Sequence, residues 1–176
     1  GAKILEVKED KVEATFEMPW GKSRTVEDRF SRALVRLQSP GGIQWDLELR
    51  AYDDGVAFRY AFPEQPNLKD IILQEESTEF RLAGNPTLLM TSTDTFAWSH
   101  ERLYRRCPLA LVPESSYIEM PVLAIWPDGT SAALTEASIR EFAGMYLERQ
   151  PESIQILREA LAGEAPGIEG RGAGTE

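Results

Sequence analysis

Chemistry in this chain would have to come from its carboxylates. Asp53 and Asp54 are adjacent, as are Glu75 and Glu76, and paired carboxylates serve glycosidases as acid, base or nucleophile. The first pair lies in "RAYDDGVAFRY", where Asp is favoured by turn geometry. The second lies in the strand-like run "IILQEESTEFRL", where adjacent side chains point to opposite faces, so a solvated or ion-paired role is expected. Glu136 is different. It shares parity with Ala132 and Leu134, the apolar stripe of its strand, and projects from the inward face at the strand's end. A carboxylate there needs an arginine, backbone donors or a metal as partner. His100 and Glu101 stand in "FAWSHERLYRR", a polar and aromatic cluster able to contact a sugar by stacking and hydrogen bonding. A histidine beside Trp98 and Tyr104 also fits a packing or capping role.

Other chemistries have little to stand on. Cys107 is the only cysteine and His100 the only histidine, which excludes an internal disulfide, multi-thiolate metal sites and His-rich zinc sites. There is no GxSxG, P-loop or GxGxxG sequence. The formal charge of −10 argues against nucleic acid, whose binding draws on clustered Lys and Arg. No apolar run approaches the roughly 18 residues of a membrane span, and "GAKILEVKED" has no signal-peptide core. A fragment of a periplasmic or secreted parent would also lack its signal.

The elements that position these residues read as short strands. In "WDLELRA" the residues Trp45, Leu47, Leu49 and Ala51 alternate with Asp46, Glu48 and Arg50, and in "VAFRYAF" Val56, Phe58, Tyr60 and Phe62 do the same. A two-residue Asp54-Gly55 turn predicts Asp53 beside Val56, Ala51 opposite Phe58 and Leu49 opposite Tyr60. It also sets Arg50 opposite Arg59, a repulsion of about 0.2–1 kcal/mol. Glu48, an acid on a neighbouring strand or a covering domain would relieve it. A second hairpin centres on Asp128-Gly129 and predicts Ile125 opposite Ala132 and Leu123 opposite Leu134. "RALVRL" and "YIEMPVL" add further strand-like runs, and the spacing predicts an all-β chain folded as a β-sandwich. "SIQILREALAG" fits a helix or a strand equally well.

At 176 residues one domain is the default. Residues 1–163 are assigned to it, and the Gly-rich 164–176 reads as linker or tail.

The segments "PWGKSRTVEDRF", "LELRAYDDGVAFRYAFP", "EESTEF", "HERLY" and "DGTSAALTEASIREFAGMYL", in this order, resemble the N-terminal domain of glycoside hydrolase family 97, the α-glucosidases and α-galactosidases. The resemblance spans roughly residues 12–163, and "RAYDDGVAFRY" is its most specific piece. It implies a mutarotase-like β-sandwich (supersandwich), here partial, packed on a catalytic (β/α)8 barrel that follows in the parent chain. It further implies a calcium ion at the parent's active site with Glu136 as one ligand, and an α-linked oligosaccharide as substrate. The remaining ligands and the catalytic carboxylates would belong to the barrel, so the chain alone is expected to be inactive. Because "PWG" lies near the start, the family's first strands are expected to be missing. A free-standing carbohydrate-binding or protein-interaction module is the alternative.

Overall fold

A computed structural model describes residues 1–69, 71–137, 139 and 143–161. The segment 164–176, expected as linker, lies outside the described residues. The chain divides into two compact units, residues 1–72 and 73–176.

The first unit is one antiparallel sheet of β1 (Lys3–Glu17), β2 (Thr25–Gln38), β3 (Gln44–Ala51) and β4 (Val56–Ala61), in chain order. Its register sorts the side chains sharply. Val7, Val35, Leu47 and Tyr60 lie in one row across the sheet, with Ala33, Leu49 and Phe58 beside them. The opposite face carries the charges in directly opposed pairs: Asp10 with Arg32, Arg36 with Asp46, and Glu48 with Arg59. Arg32 grips Asp10 with two nitrogens, and Arg36 grips Asp46 at 2.9 and 3.1 Å.

Glu48 answers the arginine problem of this hairpin. Ala51 pairs with Val56 and Leu49 with Phe58, so the turn holds four residues, closed by the Tyr52 amide on the Gly55 carbonyl at 2.8 Å. The expected two-residue turn is corrected by two positions, which preserves the faces but separates Arg50 from Arg59. Glu48, only 6% exposed at its side chain, accepts from Arg50 at 2.8 Å and Arg59 at 2.7 Å. Burial raises its pKa, but the two arginine hydrogen bonds together hold it below the usual carboxylate range. Arg50 also lies over the Phe30 ring at 4.6 Å. Asp53 and Asp54 are exposed in the turn, so their role there is conformational.

The second unit is a sandwich. It contains β5 (Glu79–Arg81), β6 (Thr87–Met90), β7 (Ser92–Thr93), β8 (Arg105–Pro108), a 3-10 turn (Leu109–Leu111), β9 (Tyr117–Glu119), β10 (Val122–Ile125), β11 (Ser131–Leu134), β12 (Met145–Arg149) and β13 (Ile156–Leu161). One sheet runs β11-β10-β6-β8 and the other β5-β13-β12-β9-β7. Leu88, Met90, Val122 and Ala124 of the first meet Ile118, Met145, Leu147 and Leu157 of the second in one buried cluster. Alternation in β6 and β10 is strict, which is why each presents one apolar side to this core.

Two sequence readings change here. The β10–β11 loop spans five residues, 126–130, so Val122 faces Leu134 and Ala124 faces Ala132. The expected pairing is off by one, and the inward stripe of β10 is Val122 and Ala124, both 1% exposed. "SIQILREALAG" yields the strand β13, because its backbone is claimed on one side by β12 and on the other by β5.

The ion-paired face leads to a test. Glu48→Gln should lower the unfolding free energy by about 1–3 kcal/mol at neutral pH, the scale of a lost hydrogen-bonded charge. Glu48, Asp46 and Asp10 are all held low by their arginines, so their contribution is present above their unfolded pKa values and disappears as pH falls through the folded ones. Urea titrations should therefore show the Gln penalty shrinking toward acid, whereas a penalty independent of pH would point to packing alone.

The apolar face leads to a second. Val56 is 84% exposed, with Phe58 and Tyr60 each above 40%, and a contiguous patch of this kind promotes association. Sedimentation should detect concentration-dependent self-association that Phe58→Lys weakens. Equal behaviour of the two proteins would remove this face as the cause.

Candidate functional site

The start of β12 organises the site. Glu136 lies two residues beyond the end of β11. It is half-buried, and its Oε2 accepts the Met145 backbone N–H at 2.8 Å. Met145 opens β12 in the facing sheet, so this bond ties the two sheets at their rim. A backbone donor is thus the partner that an inward carboxylate requires.

The next residue of β12, Tyr146, pairs with Glu119 of β9. Glu119 is 7% exposed and accepts from His100 Nδ1 at 2.5 Å. His100 takes a left-handed backbone with φ of 59°, a conformation uncommon outside glycine. Its ring sits 5.1 Å from that of Trp98, and the Arg102 guanidinium covers the indole at 4.8 Å. The His100 side chain is 60% exposed. Arg102 is tied to the Ser92 carbonyl at 2.9 Å, and Phe96 packs on Tyr117 and Tyr146. Burial and then the Glu119 charge push the Tyr146 phenol up. Glu101, beside His100, is exposed.

A third group adjoins these. Glu159 on β13 is 8% exposed; its amide donates to the Thr78 carbonyl at 2.9 Å, and the Thr78 hydroxyl donates to Glu76 at 2.9 Å. Burial, the charge of Glu76, its hydrogen bond and the more distant Glu136 push the Glu159 carboxyl up to about 8. Glu76, for which a solvated or ion-paired role is expected, is half-buried and accepts from the Thr78 hydroxyl. Sequence reasoning missed Glu119 and Glu159 because neither spacing nor parity links them to His100 or Glu76.

Among the described residues no cluster of three or more Asp, Glu, His or Cys is arranged to hold a metal. Glu136 can offer calcium a carboxylate oxygen, which suits that hard cation, but Ca2+ takes about 6–8 oxygens.

Comparison with known proteins places this geometry in context. The sequence model described as Glycosyl-hydrolase 97 N-terminal matches residues 1–169. The chain is 27% identical over 125 residues to a probable retaining alpha-galactosidase of Streptomyces bingchenggensis, covering 68% of this chain and 17% of that protein. A retaining alpha-galactosidase of Bacteroides thetaiotaomicron is 19% identical over 155 residues, covering 83% and 22%. A glycoside hydrolase family 97 enzyme of Pseudoalteromonas sp. strain K8, solved in complex with acarbose, superposes with a TM-score of 0.77 at 26% identity, over 91% of this chain and 24% of that one. Its R171K variant gives a TM-score of 0.80 at 25% identity over the same shares. The chain thus spans about a fifth of the length of the curated relatives it matches. The match over nearly its whole length and the shared all-β fold show that the chain belongs to the N-terminal domain of glycoside hydrolase family 97.

Proposed function

We propose that this chain is a noncatalytic part of an α-galactosidase or α-glucosidase, where it shapes the rim of the active site and lends Glu136 to a calcium ion. The observation that carries the reading is the position of Glu136: a half-buried carboxylate at the sandwich rim, oriented by the Met145 amide through one oxygen. Among the described residues its other oxygen accepts no hydrogen bond, and in this reading it is the donor for calcium. The family's enzymes hold their catalytic portion outside the segment matched here, and the exposed apolar face of the first unit gives a further domain a surface to pack on. When bound, calcium would supply positive charge beside the sugar-binding site.

His100 and Glu101 are proposed as contacts to the α-linked oligosaccharide. The acarbose complex of the Pseudoalteromonas enzyme shows that this architecture accompanies oligosaccharide binding in a relative. In this chain the support is the exposed His100 ring, grouped with the Trp98 indole and the Arg102 guanidinium, polar and aromatic groups of the kind that contact sugars.

In the full-length parent, Glu136→Gln should keep the fold and the Met145 bond while removing the charge. Calcium affinity measured by calorimetry and hydrolysis of an aryl α-galactoside or α-glucoside should fall together. Unchanged calcium affinity in the mutant, or tight calcium binding by residues 1–176 alone, would take Glu136 out of the site.

His100→Ala in the same parent should raise KM several-fold with a smaller effect on kcat, as expected for a group that binds substrate without taking part in the reaction. An unchanged KM would leave His100 with only its structural bond to Glu119.

A further inference from the structure

Glu119 is hidden, and the ring it holds is not. The Glu119 side chain is 10% exposed and that of His100 60%. The acid is fixed by its strand: its amide donates to the Thr91 carbonyl at 3.1 Å, and it faces Tyr146 across the ladder. His100 lies outside the strands with φ of 59°, a conformation that a residue with a Cβ keeps only where its surroundings hold it. The contact of Nδ1 with Oε1 of Glu119 at 2.5 Å ties this exposed ring to the sheet. The same segment carries the Trp98 indole, 5.1 Å from the His100 ring, and Arg102 over that indole. An ionised carboxylate only accepts hydrogen bonds, so Nδ1 carries the proton of the contact. A neutral imidazole has one N–H, and the bond made by one ring nitrogen sets the state of the other.

We propose that Glu119 is the positioning residue of the sugar contact: by accepting from Nδ1–H it fixes the His100 ring beside Trp98 and makes Nε2 an acceptor for a sugar hydroxyl. This rests on the reading of His100 as a sugar contact, and adds which ring nitrogen meets the sugar and in which state. Glu119 acts through His100 and does not itself touch the substrate. Its burial serves that role, because a carboxylate with little access to water keeps a hydrogen-bond donor that a solvated one would exchange for water. Arg102 completes the arrangement from the other side of the indole, where its bond to the Ser92 carbonyl at 2.9 Å anchors the segment a second time.

The test has a spectroscopic and a kinetic arm. His100 is the only histidine of the 176-residue chain, so nitrogen NMR of this chain reports one imidazole. At about pH 9, above the ordinary histidine range, the wild-type ring should carry its proton on Nδ1 and none on Nε2. In Glu119→Gln the Nε2–H tautomer should become the larger population, since an amide can meet Nδ1 with its oxygen or its NH2 group. In the full-length parent the same substitution should raise KM about threefold to tenfold with a smaller change in kcat. Added to His100→Ala it should raise KM no further, because the two residues act as one unit. A wild-type ring protonated on Nε2, or KM effects of the two substitutions that simply multiply, would overturn the positioning role even where His100→Ala alone weakens substrate binding. An Nδ1–H ring together with an unchanged KM in His100→Ala would instead overturn the sugar contact, and the proposal with it. Should Glu119→Gln fail to fold, the wild-type spectrum still decides, since a proton on Nε2 refutes the acceptor role.

Discussion

A carboxylate at the rim of an apolar core must find a donor, and Glu136 finds the first amide of β12. That bond joins the sheet containing β11 to the sheet containing β12 at the place where the core of Leu147, Val122 and Met145 gives way to polar surface. It fixes the orientation of Glu136. One step along β12, Tyr146 is paired with Glu119, which holds His100. The proposed metal donor and the proposed sugar contact are thus organised by consecutive residues of a single strand.

The two units solve the burial problem in opposite ways. The sandwich of the second unit hides its apolar stripes between sheets, and its buried acids are met by a histidine, an amide or another acid. The four-stranded sheet of the first unit buries carboxylates, with Asp46 at 8% and Glu48 at 5% exposure, under arginines that are themselves partly solvated. Its stripe includes Val56, Phe58 and Tyr60, each more than 40% exposed. Charge pairing across strands is individually weak. Here the pairs are contiguous and directly opposed, so they specify the register of all four strands.

Much of this was legible in the sequence. Alternation identified the faces of β3 and β4, and those faces survive a turn two residues longer than expected because a shift by an even number keeps parity. The second hairpin shows the limit. Its loop runs from Trp126 to Thr130, closed by the bond from the Trp126 amide to the Thr130 carbonyl at 2.9 Å, and this odd length exchanges the stripe on β10 while leaving that on β11 intact. Asp-Gly marks a turn without stating how many residues it contains. The ambiguity of β13 was resolved only by its neighbours, since Ile156 and Leu157 suit either period. Glu159 beside Glu76, and His100 beside Glu119, were invisible because tertiary pairing brings them together across long stretches of chain. "RAYDDGVAFRY" and "TEASIREFAGM" still carried the family resemblance, since they encode the ion-paired hairpin and the segment around Glu136.

The most direct test of the account is a crystal structure of the full-length parent grown with calcium, with the ion located by anomalous scattering. The account requires a calcium ion about 2.3–2.6 Å from a Glu136 oxygen, with the Met145 amide still on Oε2 and the other ligands contributed from beyond this segment. A calcium ion bound elsewhere, with Glu136 held only by Met145, would contradict it.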